Sequence, residues 1–299
     1  MKMKEIIKLL RPYQWLKNLF VFAPVFFNGS VLDIDYLLPS FMVFFSFCMA
    51  ASSIYCFNDI YDAETDRMHP IKRNRPIASG AVSKNMGYCL MIICLVLSII
   101  MIFSFCWHSD SARIIIFTLI LFYVLFNISY CVWLKHKAIV DVFIIAMGFV
   151  IRIYAGGAAT GIELTNWLVL MTFLLALFLA FAKRRDDVEM YETTGKVVRD
   201  NITRYTLDYM NQVIGIIASV TMVCYIMYTV SPEVIDRFHS SKIYLTSVFV
   251  LAGIVRYLQV TMVDVKSGSP TKVLLHDKFI QSCVFGWILS FVLIIYVFQ

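Results

Sequence analysis

The residues most informative about the fold are 36–66. Residues 36–57 read YLLPSFMVFFSFCMAASSIYCF, and residues 58–66 continue as NDIYDAETD. The first part is an uncharged run of 22 residues. A helix needs about 20 apolar residues to cross the hydrocarbon core of a bilayer. One Asn and four carboxylates follow within the next nine residues. The junction therefore predicts a membrane helix whose end carries a polar site.

The rest of the chain shares this apolar character. Of its 299 residues, 60% are hydrophobic and 15% are charged, whereas soluble globular proteins carry about 25% charged residues, so a soluble fold is excluded. We predict an all-α, polytopic membrane protein forming a single integral membrane domain over residues 1–299, with about nine transmembrane helices. The clear spans are 36–57, 86–107, 114–134, 164–182, 211–230 and 279–298, and three more are 138–157, 243–263 and the short 15–31.

The Lys and Arg residues are distributed unevenly over the predicted loops. With a cytoplasmic N-terminus, the inner segments hold 21 of the 26 basic residues and the outer loops hold three, as the positive-inside rule requires. We therefore expect a multi-pass protein of the cell membrane with its chemistry at the cytoplasmic face, where the longest polar connections, 58–85 and 183–205, lie. Topology and phosphate binding account for the net charge of +6, so we expect no nucleic-acid partner.

The acidic motif after residue 57 has the spacing of a helix face. Asn58, Asp62 and Asp66 are four residues apart, which aligns their oxygens on one side of a helix, with Asp59 beside them. Mg²⁺ is typically bound by one or two carboxylates together with substrate phosphates. The motif therefore predicts an Mg²⁺ site, and a solvated acidic helix end is the alternative.

A basic loop follows the acidic motif directly. Residues 67–76 read RMHPIKRNRP, with Lys72, Arg73 and Arg75, and the prolines prevent a continuous helix. A metal–diphosphate site needs metal ligands beside cations that take up the remaining charge. Topology alone would explain the sign of the loop but not the carboxylates beside it.

Charged residues within or beside other spans are further candidates. Lys17 lies in the first predicted span, Lys135 ends the fourth, and the run AKRRDD of residues 182–187 ends the sixth. Arg152 is eleven residues from Asp141 and lies on a similar face of their helix. For Arg152 and Asp141, a structural pair with another helix is nearly as good an explanation as a substrate role, and Arg256 is similarly ambiguous.

These patterns define one set of predicted site residues. The predicted catalytic residues are Asp62, Asp66, Lys17 and Lys183, and the predicted metal ligands are Asn58, Asp59, Asp62 and Asp66. The predicted ligands of substrate phosphates are Lys72, Arg73, Arg75, Lys135, Arg184 and Arg152.

The pattern N-D-x-x-D-x-x-x-D of residues 58–66 resembles the first aspartate motif of the UbiA superfamily of intramembrane prenyltransferases. Blocks at residues 11–18, 58–80, 134–136, 151–160, 183–184 and 256–257 resemble the phosphoribosyltransferase branch of that superfamily, in order over almost the whole chain. The resemblance implies nine helices around a central cavity open to the membrane, and Mg²⁺ that binds a diphosphate.

One feature differs from the prenyltransferases that act on aromatic rings. Their second motif is typically D-x-x-x-D after helix six, whereas residues 183–189 read KRRDDVE, and neither Asp has another Asp four residues later. This difference argues against ionisation of a prenyl diphosphate. It suits an acceptor that is itself a phosphate and needs cations.

The resemblance implies an Mg²⁺-dependent, membrane-embedded glycosyltransferase. Such an enzyme would move a 5-phosphoribosyl group from 5-phosphoribosyl diphosphate to a polyprenyl phosphate and release diphosphate, in the biogenesis of a bacterial cell envelope. One alternative is a UbiA-type prenyltransferase with an isoprenoid diphosphate donor and an aromatic or other small acceptor. Another is a transporter or lipid flippase, suggested by the charges within spans. Assembly into a homo-oligomer is left open.

Overall fold

The computed structural model describes residues 2–68, 72–195, 201–264 and 270–296. The secondary structure in these ranges is entirely helical, which confirms the predicted all-α class. Residues 69–71 of the predicted basic loop, parts of the two later inner loops (196–200 and 265–269) and the end of the last predicted span lie outside the described residues.

The described ranges contain thirteen α-helices, numbered here in chain order. They are α1 (Lys2–Leu10), α2 (Ala23–Phe27), α3 (Ile34–Tyr61), α4 (Ala63–Met68), α5 (Lys84–Ser104), α6 (Asp110–Val132), α7 (Val140–Thr160), α8 (Asn166–Thr194), α9 (Leu207–Thr229), α10 (Pro232–Phe238), α11 (Ser247–Met262), α12 (Pro270–His276) and α13 (Lys278–Tyr296).

Eight helical segments in the described ranges are long and apolar enough to cross a membrane. They are α3, α5, α6, α7, α8, α9, the segment Ser241–Met262 that includes α11, and Lys278–Ile295 of α13. Each corresponds to a predicted span, with its ends shifted by a few residues in most cases. The ninth predicted span, 15–31, instead forms a 3₁₀-helix (Pro12–Phe22) followed by the short α2, so the predicted count of nine is approximate.

Close backbone packing accompanies this irregular first segment. A Cβ atom added to Gly156 of α7 would lie 2.1 Å from the carbonyl oxygen of Val21. The glycine therefore lets the 3₁₀-helix lie directly against α7, as small residues do between membrane helices. Asn18 of the same segment is fully buried.

The chain divides into two compact units. Unit 1 comprises Met1–Lys135 and Gly148–Leu164, and unit 2 comprises His136–Met147 and Thr165–Gln299. In unit 1, α3 packs against α5, α6 and the first 3₁₀-helix, and in unit 2, α8 packs against α9 and α11 against α13. The prediction of one domain over the whole chain stays a prediction.

The predicted span 164–182, the sixth along the chain, is longer than predicted. We expected it to end at residue 182, but α8 continues to Thr194, with Gly195 at its C-cap in the left-handed conformation (φ 66°). Ion pairs one turn apart join Arg184 to Asp187 and Arg185 to Glu189. Such pairs stabilise a helix, so the charged run prolongs α8 rather than ending it.

Candidate active site

The acidic motif lies at a break between two helices of unit 1. Helix α3 ends at Tyr61, Asp62 is its C-cap residue, and α4 begins at Ala63. The chain still follows a helical path, because the N–H of Asp66 donates to the carbonyl oxygen of Asp62 at 2.8 Å. The predicted alignment of the motif is therefore kept, with Asp62 at the break.

Asp59 is buried and held by two arginines. Its Oδ1 accepts from Nη2 of Arg11 at 2.5 Å and lies 3.5 Å from Nη1 of Arg75. The guanidinium of Arg11 also stacks on the Tyr55 ring, 5.1 Å from its centroid. Oδ2 of Asp59 is buried and has no hydrogen-bond partner. One oxygen of this carboxylate is therefore neutralised by protein cations and the other is not.

The other two aspartates of the motif are paired in the same way. Oδ2 of Asp66 accepts from Nη1 of Arg75 at 2.6 Å. Oδ1 of Asp62 accepts from Nζ of Lys135 at 2.6 Å, and this ammonium lies 5.3 Å from the centroid of the Tyr61 ring. The structure thus brings two of the predicted phosphate ligands, Arg75 and Lys135, onto the predicted metal ligands.

Asn58 accepts a weaker bond. Its Oδ1 lies 3.3 Å from the donor Sγ of Cys131. A thiol is a weak donor, so this amide oxygen is held less firmly than the carboxylates.

The residues of the motif fit Mg²⁺ in the chemistry of their donor atoms. The described residues hold no group of three His, Cys, Asp or Glu side chains placed to enclose a metal ion. Mg²⁺ does not require such a cage, because it uses one or two carboxylates together with waters and substrate phosphates. The buried, unpartnered Oδ2 of Asp59 is an oxygen that a cation would satisfy. The assignment of Asn58, Asp59, Asp62 and Asp66 as ligands stays a prediction.

Side-chain hydrogen bonds to backbone oxygens hold the described part of the basic loop. Nζ of Lys8 in α1 donates to the carbonyl oxygen of Asn74 at 2.8 Å, and Nε of Arg67 donates to that of Ala78 at 3.2 Å. Lys72 is half-buried and Arg73 is exposed. Of the predicted cations in this loop, Arg75 contacts carboxylates of the motif.

Two cations of unit 1 form a second positively charged cluster. Arg152 is buried, and its guanidinium donates to Asn18 Oδ1 at 2.7 Å, to the Gly148 carbonyl oxygen at 2.6 Å and to the Tyr123 hydroxyl at 3.0 Å. These acceptors are all uncharged. Lys17 is half-buried, and both Arg152 and Arg11 lie close enough to repel its charge.

In unit 2, the predicted phosphate ligand Arg184 is enclosed by carboxylates. Its Nε donates to Asp141 Oδ2 at 2.6 Å and its Nη1 to Asp187 Oδ2 at 3.0 Å, with 1% and 0% of the Arg184 and Asp141 side chains exposed. For Asp141 this is the structural pair that the sequence left open. Lys183 is half-buried beside it. The geometry favours a positioning role for Arg184, and its predicted phosphate contact stays untested.

A strained turn precedes Asp141. Ile139 has φ 69°, a conformation that β-branched residues rarely adopt. Its N–H donates to the Tyr205 hydroxyl at 2.5 Å. Burial raises the pKa of Tyr205 to about 12, so the hydroxyl stays protonated at neutral pH.

Arg256, the other charge predicted inside a span, also has a structural partner. Its Nε and Nη2 donate to Asp277 Oδ2 at 3.1 and 2.8 Å. The hydrogen bond from Arg256 holds the pKa of Asp277 below its usual range. This pair joins α11 to the start of α13.

Arg11 and Tyr205 are not among the predicted site residues, but the structure places both in these networks. Arg11 has a left-handed conformation (φ 51°) and reaches an aspartate 48 residues away. A basic residue ahead of Pro12 was visible in the sequence, but nothing local indicated its partner. Both residues are found only through tertiary contacts.

Known proteins are similar to this chain in sequence and in fold. The UbiA prenyltransferase family profile matches residues 19–282. Decaprenyl-phosphate phosphoribosyltransferase of Mycolicibacterium smegmatis is 35% identical over 95% of this chain and 90% of its own length, and that of Corynebacterium glutamicum is 31% identical over 98% and 87%. The structure of a UbiA homolog from Archaeoglobus fulgidus bound to GPP and Mg²⁺ superposes with a TM-score of 0.68 over 98% of this chain and 100% of that one, at 19% identity. The chain therefore belongs to the UbiA prenyltransferase family.

Proposed function

We propose that this chain transfers a 5-phosphoribosyl group from 5-phosphoribosyl diphosphate to a polyprenyl phosphate and releases diphosphate, with Mg²⁺ as cofactor. The full-length relatives whose names state a phosphoribosyltransferase activity support the reaction class. Isoprenoid transfer and transport are not favoured by them.

One structural observation carries the choice of acceptor. In the run 183–189, where aromatic prenyltransferases typically have a second aspartate motif, Arg184 donates to Asp187 and Arg185 pairs with Glu189. These arginines take up carboxylates that a second metal would need. This disfavours a second metal site, and it is compatible with an acceptor that is itself a phosphate, as the names of the relatives state.

The donor diphosphate is assigned to the acidic motif of unit 1. Bound Mg²⁺ supplies neutralisation of the leaving diphosphate. Arg75 and Lys135, with Lys72 and Arg73 of the same loop region, add positive charge beside the predicted ligands Asn58, Asp59, Asp62 and Asp66. These side chains orient the diphosphate for departure from C1 of the ribose, and positioning of this kind lowers the barrier.

A further phosphate group is assigned to Lys17, with Arg152 and Asn18 behind it. The buried guanidinium of Arg152 has only uncharged acceptors, and Lys17 has cations as its charged neighbours. Buried positive charge without a carboxylate favours an anionic ligand. In this proposal, Arg152 orients Asn18 through their hydrogen bond and adds to the positive charge near Lys17.

The proposed chemistry breaks one bond and forms one. The bond between ribose C1 and the diphosphate oxygen breaks, and its electron pair leaves with the diphosphate. A phosphate oxygen of the lipid then bonds to C1, which carries oxocarbenium character by analogy with glycoside cleavage. Because the lipid phosphate is already ionised, no side chain has to remove a proton from it. We place this chemistry at the cytoplasmic face of the cell membrane, on the basic-residue distribution.

The test is a transfer assay with purified protein. Labelled 5-phosphoribosyl diphosphate, a polyprenyl phosphate and Mg²⁺ are expected to give a labelled lipid that EDTA abolishes. No product with several polyprenyl phosphates, together with transfer of an isoprenoid from its diphosphate to an aromatic acceptor, would reject the proposal.

A pair of aspartate variants makes the assay specific to the site. Asp62→Asn removes the charge that contacts Lys135 and is expected to lower transfer by about 100-fold or more. Asp110→Asn, at the first turn of α6 and paired with Arg113, is the control and should keep normal transfer. Equal activity in the two variants would place the chemistry elsewhere.

A further inference from the structure

Each cation around the acidic motif holds one oxygen of a carboxylate that is a predicted metal ligand. Arg11 contacts Oδ1 of Asp59, Lys135 contacts Oδ1 of Asp62, and one nitrogen of Arg75 lies between Oδ1 of Asp59 and Oδ2 of Asp66. Three carboxylates thus face three protein cations, and their formal charges cancel.

These three cations are not equally firmly held. Arg11 reaches the fully buried Asp59 from a left-handed backbone position and stacks on Tyr55. The three cations are similarly exposed, with 17%, 25% and 15% of the side chains of Arg11, Arg75 and Lys135 exposed. Their carboxylates differ: Asp62, the partner of Lys135, is 22% exposed and Asp59 is 1% exposed, and an ion pair that water reaches contributes less free energy than a buried one. Asp59 also keeps Arg11 when Arg75 turns away from it. Lys135 and Arg75 can therefore be exchanged more readily than Arg11.

We propose that Arg75 and Lys135 are exchangeable counter-ions, which leave the aspartates for the diphosphate when metal and diphosphate bind together. This inference rests on the proposed Mg²⁺-diphosphate site and adds its order of assembly. Its consequence is positive cooperativity between the metal and the diphosphate.

The charge balance gives the reason. A divalent cation entering alone would add two positive charges to a neutral cluster and compete with Arg75 and Lys135 for the charge of the same carboxylates. A diphosphate entering alone would add negative charge beside three carboxylates. When both enter, the carboxylates turn to the metal and the freed cations turn to the phosphates, so every charge keeps a partner. The coupling is reciprocal, as linkage requires.

The experiment measures binding rather than turnover. Mn²⁺, detected by electron paramagnetic resonance, stands in for Mg²⁺, and inorganic pyrophosphate stands in for the donor diphosphate. We expect pyrophosphate to tighten Mn²⁺ binding by about tenfold or more, within the usual range of coupling between two ligands, after correction for the Mn²⁺–pyrophosphate complex in solution.

A variant of Lys135 gives the distinguishing result. Lys135→Gln removes a cation that competes with the metal, so Mn²⁺ alone should bind to this variant several-fold more tightly than to the wild type. The factor by which pyrophosphate tightens Mn²⁺ binding should be smaller in this variant. Lys135→Arg should keep the wild-type behaviour. Arg113→Gln, which removes an exposed ion pair at the far end of α6, is the matched control and should change neither value.

Two results would overturn the exchange. One is Mn²⁺ binding that pyrophosphate does not tighten, and the other is weaker Mn²⁺ binding to Lys135→Gln than to the wild type. Failure of the proposed reaction is a separate outcome: cooperative binding without any phosphoribosyl lipid product would retain the exchange and reject the substrate. Product formation without cooperative binding would do the reverse.

Discussion

The acidic motif of unit 1 and the charged run of α8 in unit 2 use the same residue types in opposite ways. In unit 1, side chains of Arg75 and Lys135 that are 25% and 15% exposed meet carboxylates from one short stretch of chain. In unit 2, Arg184 and Asp141 are 1% and 0% exposed, and a second carboxylate, Asp187, closes the arrangement. The two regions therefore differ in burial. The more exposed ion pairs of the acidic motif can exchange partners, whereas the buried pair of Arg184 and Asp141 holds helices together.

We expect the largest effect on stability from loss of the buried ion pair between Arg184 and Asp141. Arg184→Ala leaves the charge of Asp141 buried without its cation, and removal of one partner of a buried pair costs about 3–5 kcal/mol. We expect a large fall in the free energy of unfolding, measured by denaturant or thermal unfolding in detergent.

The double variant Arg184→Met with Asp141→Leu refines this test. Because neither of the two fully buried charges remains, and the carboxylate of Asp187 is 16% exposed to water, it should recover most of the lost stability. A loss for Arg184→Ala no larger than that for Arg113→Ala, whose ion pair is exposed, would contradict the structural role.

The next prediction concerns Asp66 of the acidic motif, whose partner Arg75 is proposed to exchange. Asp66→Asn keeps the shape of the side chain and removes the charge that contacts Arg75. We expect phosphoribosyl transfer to fall by about 100- to 1,000-fold, as when one strong electrostatic contact to a reacting group is removed, with nearly unchanged thermal stability. If Asp66→Asn destabilises the protein as much as Arg184→Ala does, the ion pairs of the acidic motif are as structural as the pair of Arg184, which contradicts the proposed difference.

A smaller effect is expected at the turn before Asp141. Tyr205→Phe removes the acceptor of the Ile139 N–H, and a buried donor without a partner costs about 1–3 kcal/mol. Thermal unfolding should show this loss. In the Tyr205→Phe background, Ile139→Gly should restore part of the stability, because Gly adopts a positive φ without strain. A further loss in the double variant would show that the turn is not strained.

The smallest effect concerns pH and a partly exposed pair of unit 2. The hydrogen bond from Arg256 holds the pKa of Asp277 below its usual range. The stability from this pair is thus fully present above the unfolded-state pKa of about 3.9, and it is lost as the pH falls through the lower, folded-state pKa. The difference in melting temperature between the wild type and Asp277→Asn should be steady from about pH 7 to 5 and shrink below about pH 4. A difference that grows on acidification would contradict the pairing.

Local patterns were sufficient for the membrane-spanning helices and much less so for the start of the chain. The run before Asn58 and the apolar stretch of α5 are helices in the structure, close to their predicted limits. The 3₁₀-helix at residues 12–22 was predicted as part of a span. Its conformation depends on the direct contact of Val21 with Gly156, which no hydropathy pattern contains.

The candidate site shows a similar division. The acidic motif and its basic loop were predicted from spacing and charge sign, which are properties of the sequence, and their roles as metal and phosphate ligands stay predictions. Arg152 was open to two interpretations and Arg184 was predicted to bind phosphate. The structure supplies their neighbours: uncharged oxygens for Arg152 and two carboxylates for Arg184. Charge alone did not distinguish a phosphate ligand from a structural ion.

The amino-acid sequence alone predicts a membrane protein, an all-α fold and a group of oxygen donors after residue 57, because hydropathy and i, i+4 spacing are properties of single helices. The pairing of each cation with its carboxylate is found only in the folded protein. Arg11 with Asp59, Lys135 with Asp62 and Arg184 with Asp141 are 48, 73 and 43 residues apart. Such pairs form when helices pack, and the burial that packing imposes sets whether a charge can exchange.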